Sequence, residues 1–340
     1  MTASIGEVMQ DCVVDEVAPG IFRLDVPVPF SGLRQINLWL LRDGDGFTMI
    51  DCGFADAQTR QRIEAMWKVV LNGRPVTRLL ITHFHPDHAG NCRFICERWG
   101  LRPQLTQLEW MAANVALKSL YSDDPQLAPR FYRQNGATDD LIDLYHADTI
   151  LYDTGVELTD DHERLNAGDR LVIGEREWVV MTGQGHSPEM AMLYCADDDI
   201  LIAGDQILPK ISPNISVWPW EPLANPLREF LVSLEQLDTR VTSNTLVLPS
   251  HRAPFHDAKS RIASLREHHE ERLALLARLM KERGEITATD LLQPLFNRRL
   301  DGHQLNFAMG EVIAHLNYMM FEGTVRRMVD RDANIRFSLC

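Results

Sequence analysis

The chain has 340 residues, 45% of them hydrophobic and 24% charged, with a formal net charge of −14. That composition is ordinary for a globular protein and argues against a disordered chain, and the length suits one large domain with a smaller appendage. The negative charge disfavours a surface built to grip a phosphate backbone, and no apolar run nears the roughly 20 residues of a membrane-spanning helix.

Met1 to Gln10 lacks the basic start and apolar stretch of a secretory signal. From Ile21 to Ile50 the pattern predicts short strands: Phe22 to Val26 alternates, Ile36 to Leu41 is apolar, and the Asp43-Gly44-Asp45-Gly46 turn leads into Phe47 to Ile50. Ala57 to Val70 has helical spacing and stops near Asn72-Gly73, and Val76 to Ile81 reads as a strand. A helix is expected from about Ala89. Residues 105–146 form a helical insert with many aromatic and Met side chains, including Trp110, Met111, Tyr121, Tyr132 and Tyr145. Strands return at Arg170–Ile173, Trp178–Met181, Met192–Cys195, Ile200–Ala203 and Thr245–Leu248. After about Ala258 the chain turns helical, with Arg261 to Arg283 ending at Gly284, then Thr287–Leu295 and Phe307–Phe321. A terminal hairpin of Val325–Val329 and Ile335–Leu339 completes the outline of a winged helix. Cys12, Cys52, Cys92, Cys96, Cys195 and Cys340 are scattered without a CxxC pair, which reads as reduced buried thiols and a cytoplasmic setting.

The chemistry concentrates in Thr82-His83-Phe84-His85-Pro86-Asp87-His88. His83 and His85 follow an apolar strand two residues apart, so they point to one side. Pro86 turns the chain, and Asp87 and His88 follow at once. Four candidate ligands therefore share a small volume, and imidazole with carboxylate suits zinc, iron or manganese. Burying them unpaired would be costly. Further candidates sit where strands end: Asp51, His186 after Gly183-Gln184-Gly185, Asp205 after Gly204, and His251 after Pro249. Strands that deliver His or Asp at their C-terminal ends imply one shared edge where those groups meet.

Ile50-Asp51-Cys52-Gly53, Thr82 to His88, Gly185-His186-Ser187, Ala203-Gly204-Asp205 and Pro249-Ser250-His251 resemble, in order, the five motifs of the metallo-β-lactamase superfamily. The resemblance covers residues 20–257. It implies an α/β fold, a four-layer αββα sandwich, placed over residues 1–257 with the insert at about 105–146, and the pattern beyond it reads as a helical, winged-helix-like C-terminal domain over 258–340. The resemblance also implies two divalent metal ions, zinc first, with iron or manganese as alternatives. By motif position one metal is held by His83, His85 and His186 and the other by Asp87, His88 and His251. Asp205 bridges them, and Asp51 hydrogen-bonds to ligands from behind.

The same resemblance narrows the chemistry. β-Lactamases of this fold usually carry cysteine at the position of Asp205, diiron oxygen reductases replace ligands of the histidine run and add a flavin domain, and persulfide dioxygenases lack the second metal site. A hydrolase of the glyoxalase II, lactonase, thioesterase or nuclease branches remains. A metal-bridged hydroxide is the expected nucleophile, with Asp87 accepting or relaying the proton. A thioester of acyl-CoA or glutathione type is favoured, because a thiolate leaves without much protonation. Other esters and lactones, an endoribonuclease, and a non-catalytic binding protein are the alternatives. Lys210, Trp218 and Trp220 are candidates for the substrate pocket. Met190 stands where many relatives have histidine, and His146, His162 and His256 read as surface or capping groups. The expected partner is a small-molecule substrate, with neither membrane nor nucleic acid. The C-terminal module reads as a packing surface, compatible with a homodimer.

Overall fold

A computed structural model describes residues 14–30, 33–120, 124–145 and 155–340. Met1 to Gln10, Cys12, Tyr121 and His146, each singled out in the sequence, lie outside the described residues.

Two sheets form the centre of the molecule. The first has seven strands in sequence order: β1 (Val14–Ala18), β2 (Ile21–Phe30), β3 (Leu33–Asp43), β4 (Gly46–Ile50), β5 (Val76–Leu80), β6 (Pro103–Thr106) and β7 (Glu163–Leu165). Its first strands pair antiparallel through tight turns, whereas β4 to β7 run parallel and need crossovers. Helix α1 (Ala57–Val70) spans the first crossover, and its buried Ile63, Met66 and Trp67 lie at helical spacing. The Asp56 side chain caps it by accepting the Thr59 N–H at 2.7 Å.

The crossover from β5 to β6 carries the histidine run. The expected single helix is instead a short turn, α2 (Pro86–Ala89), followed by α3 (Cys92–Trp99). The break has a physical cause. A Cβ on Gly90 would lie 2.4 Å from the Gly53 and Pro86 carbonyl oxygens, and the Asn91 side chain donates to the carbonyls of Cys52, Gly53 and Phe54. The chain leaves helical geometry so that the loop carrying Asp51 can press against it. Between β6 and β7 stand α4 (Gln107–Leu120) and α5 (Leu127–Gln134), which belong to the predicted insert.

The second sheet has the order β12-β11-β10-β9-β8, built from β8 (Arg170–Ile173), β9 (Arg176–Gly183), β10 (Met190–Cys195), β11 (Ile200–Gly204) and β12 (Leu246–Pro249). Trp39, Leu41, Ile50 and Leu80 of the first sheet meet Trp178, Val180, Leu193, Ile202 and Leu248 of the second in one buried cluster. The outer face of the first sheet is covered by α1, α3 and α4. The outer face of the second is covered by α6 (Pro226–Asp238), α7 (Ala258–Arg283) and, after the short α8 (Leu292–Phe296), α9 (Gly302–Phe321). This is the four-layer sandwich that the motifs imply, with the helical C-terminal region that the periodicity predicts. The terminal strands β13 (Val325–Val329) and β14 (Ile335–Leu339) have the predicted boundaries. Cys52, Cys92, Cys96 and Cys195 are buried free thiols, while Cys340 is free and exposed. No helix among the described residues is long and apolar enough to cross a membrane.

Candidate metal centre

The ligand candidates gather at one edge of the two sheets. His83, His85 and His186 place ligand atoms within 4.8 Å of one another, as do Asp87, His88 and His251. Asp205 stands between the two triads: its Oδ2 is 3.5 Å from His186 Nε2, 3.5 Å from His251 Nε2 and 3.7 Å from His88 Nε2.

Three of the imidazoles are aimed by what they hold behind them. His88 Nδ1 donates to Asp51 Oδ2 at 2.8 Å, His186 Nδ1 donates to the Asn214 carbonyl at 2.7 Å, and His251 Nδ1 donates to the Gln35 carbonyl at 2.9 Å. Because these partners only accept, each of the three rings in its neutral form presents a bare Nε2 atom to the centre. Asp51 itself adopts a left-handed backbone (φ 61°), an uncommon state for a side chain with Cβ. It accepts from the Thr82 N–H at 2.7 Å and from Thr82 Oγ1 at 2.9 Å, which ties the end of β4 to the start of the histidine run. The loop bearing His251 is clasped by Asn37 of β3, whose side chain donates to the Pro249 and Arg252 carbonyls at 2.9 and 2.6 Å.

The donor set fits divalent metal. Nε2 of His85, His88, His186 and His251, together with Asp205 Oδ1, are buried without a hydrogen-bond partner. Each such atom costs about 1–3 kcal/mol, and a cation with nitrogen and oxygen ligands satisfies them all at once. Burial, then neighbouring imidazoles, hold His83 well below its ordinary pKa, and burial lowers His85 and His186 too, which keeps all three in the neutral ligating form. At His88 burial is outweighed by Asp87, Asp51 and Asp205, which raise it to about 9, and Asp205 and Asp87 likewise raise His251 against burial. Those histidines return the effect: against burial, His88 and His251 hold Asp87 at about 2 and keep Asp205 far below the usual carboxylate range.

Above the ligands opens a cavity of about 610 Å³. His85, Asp87, His186, Asp205 and His251 form its floor, and Phe84, Leu208, Ile211, Trp218, Trp220 and Phe307 are among its walls. Trp218 and Trp220 stack in parallel with centroids 5.1 Å apart. Lys210 is exposed and is not among the lining residues. Met190 is also absent from the lining: fully buried, its Sδ lies 3.3 Å from the Asp205 N–H and beneath Gly204. It supports the Asp205 backbone and cannot meet substrate. His162 stacks on Trp110 with centroids 4.4 Å apart, and His256 bonds the Asn244 carbonyl.

Three further groups shape the site without a sequence signal to mark them. Glu109 of α4 is fully buried and accepts from the Phe84 N–H at 2.9 Å and from Ser187 Oγ and the Glu189 N–H at 2.7 Å each. Asn214 supplies the carbonyl behind His186. Residues of α9 line the cavity, so the C-terminal region forms a wall of the site as well as a packing surface.

A family model described as the metallo-beta-lactamase superfamily matches residues 31–278, and one described as the metallo-beta-lactamase-like C-terminal domain matches residues 273–340. The chain belongs to the metallo-beta-lactamase superfamily. Among solved structures, this superfamily member is similar to a beta-lactamase domain protein from Burkholderia ambifaria, with 38% identity, a TM-score of 0.88, and coverage of 96% of this chain and 94% of that one. A metallo-beta-lactamase family protein from Thermus thermophilus matches at 27% identity and a TM-score of 0.81, over 96% of this chain and all of that one (100%). The metallo-beta-lactamase from Pontibacter korlensis shares the fold at 16% identity, with a TM-score of 0.52 over 75% of this chain and 98% of that one. The first two similarities extend through the C-terminal helices, whereas the third covers a smaller share of the chain.

Proposed function

We propose that this superfamily member is a dinuclear metal-dependent hydrolase that cleaves a thioester with an apolar acyl group. His83, His85 and His186 would hold one ion and Asp87, His88 and His251 the other, with Asp205 between them and zinc the favoured metal. The observation that carries this reading is the set of bare Nε2 atoms and carboxylate oxygens forming the floor of an apolar cavity. Bound divalent metal supplies a Lewis acid for the carbonyl and a water that ionises near neutral pH.

The chain's own residues do the rest. Phe84, Leu208, Ile211 and Phe307 exclude water from the acyl group, and the stacked Trp218 and Trp220 offer it a flat wall. Asp87, on the cavity floor, would accept or relay the proton given up by the reacting water. A thiolate leaves without a strong acid beside it, which favours a thioester over an alkyl ester. Asp205, where the β-lactamases of this fold usually have cysteine, disfavours lactam cleavage.

The test is one panel with one preparation: acyl-CoA and glutathione thioesters, lactones and single-stranded RNA. Two metal equivalents per chain and thioester turnover are expected. Within a saturated acyl series, kcat/KM should rise roughly fourfold per added methylene until the cavity fills, following about 0.8 kcal/mol per buried methylene. RNA cleavage without thioester hydrolysis overturns the reading, as does a flat acyl series.

A further inference from the structure

We infer that the C-terminal helices set the metal ligand His186, with Glu311 of α9 acting as a positioning residue through Asn214. The inference rests on His186 being a ligand, as proposed above, and it assigns the C-terminal region a part in the metal centre itself.

The connection can be followed atom by atom. The His186 ring donates Nδ1–H to the Asn214 backbone carbonyl at 2.7 Å, so the direction of that carbonyl decides where Nε2 points. Asn214 lies in the loop after β11, with no regular secondary structure of its own to hold it. Helix α9 holds it instead. The Asn214 side-chain amide donates to Glu311 Oε2 and to the Phe307 carbonyl, each at 3.2 Å, and its Oδ1 accepts from Ser216 Oγ. The loop also lies directly on the helix. The Val217 N–H donates to the Gly310 carbonyl at 3.1 Å, and a Cβ at position 310 would fall 2.7 Å from Ser216 Oγ and 2.8 Å from Ser216 Cβ. A glycine inside a helix is destabilising relative to alanine, and here it gives the loop its seat.

Glu311 is in turn fixed from α7. Its carboxylate is buried, and Oε1 is 3.0 Å from Arg272 Nη1, which forms an ion pair between the two long C-terminal helices. Arg272 also donates from Nε to His268 Nε2 at 3.0 Å and lies over the Phe296 ring at 4.9 Å. A buried ion pair adds little net stability over apolar residues of similar volume. What this pair does provide is a single, fixed position for the oxygen that receives the Asn214 amide. Partners behind metal-binding histidines change metal affinity by about 10–100-fold when removed.

Two double variants isolate that oxygen. Arg272→Met/Glu311→Gln removes both charges but keeps an acceptor for Asn214, whereas Arg272→Met/Glu311→Met removes both the charges and the acceptor. In metal-free protein labelled with 15N-histidine, the His186 ring is assigned by its loss in His186→Asn. It should show protonated Nδ1 and bare Nε2 in the wild type and in the Gln double variant, and a mixture of tautomers in the Met double variant. In cobalt titrations against a competing chelator, one of two equivalents should weaken by about 10–100-fold in the Met variant alone, with a changed visible spectrum. Should the Met variant lack a cooperative melting transition, Asn214→Ala, which leaves the ion pair intact, carries the same two measurements. Identical tautomers and identical cobalt affinity in both double variants, or equal losses in both, overturn the inference. The tautomer measurement needs no bound metal, so it separates failure of this positioning role from failure of the hydrolase reading.

Discussion

The Glu109 carboxylate accepts the backbone N–H of Phe84 at 2.9 Å, in the middle of the histidine run. Its other oxygen receives Ser187 Oγ and the Glu189 N–H, both at 2.7 Å, from the segment just after His186. One buried side chain therefore ties together two ligand-bearing segments that belong to different sheets. In Glu109→Gln an amide N–H must face one of these donors. A loss of about 1–3 kcal/mol in unfolding free energy is expected, measured by urea denaturation of metal-free protein at pH 5.

The same carboxyl gives the stability a pH dependence. Burial, only partly offset by the three donors, pushes Glu109 from 4.5 up to about 7. Between those values the folded state keeps a proton that the unfolded chain releases, so stability from this group is complete below 4.5 and is lost as pH rises through 7. The loss amounts to about 3 kcal/mol at most. The stability gap between wild type and Glu109→Gln should therefore narrow or reverse from pH 5 to pH 8. A gap that widens over that range contradicts the assignment.

Asp51→Asn separates charge from backbone strain. Asparagine tolerates the left-handed conformation that Asp51 adopts at φ 61°, so the fold should survive. Its amide cannot reproduce the carboxylate that receives both Thr82 and His88. Metal affinity is expected to fall about 10–100-fold with an unchanged circular dichroism spectrum, measured by chelator competition.

Trp218→Ala opens the cavity wall beside Phe84 and Phe307, whose ring centroids each lie 6.4 Å from that of Trp218. The acyl-length dependence of kcat/KM should flatten, with long-chain substrates losing more than acetyl substrates. Metal content should stay at the wild-type value, since Trp218 is not a ligand. Lys210→Ala should leave the whole series unchanged, because Lys210 does not line the cavity.

Much of this was legible in the sequence because the signals are local. The hairpin of β13 and β14 and helix α1 follow from short-range periodicity, and the spacing of His83, His85, Asp87 and His88 sets their shared direction through the strand end and Pro86. The groups that were not legible act across long stretches of chain. Glu109 meets Ser187 over 78 residues and Asn214 meets Glu311 over 97, and an acid inside an apolar helix looks the same whether it faces solvent or a ligand loop. Met190 shows the limit from the other side. Its position, where many relatives have histidine, does not reveal which way it faces, and the pleat of β10 turns the side chain under Asp205, where it meets backbone.

The cage draws on both sheets, and its last candidate ligand, His251, is held by Gln35 and its loop by Asn37, more than two hundred residues earlier in the chain. Pairings of that kind, together with the parallel joins of β4 to β7 and of β11 with β12, make folding slow, because loop closure must precede any reward. During synthesis the histidine run emerges long before its partners and is exposed as a four-ligand chelator on an unfinished chain. Metal captured at that stage would meet His83 to His88 without His186, Asp205 and His251. With the ligand set proposed above, docking of the two sheets before loading would be the order that offers metal the whole cage.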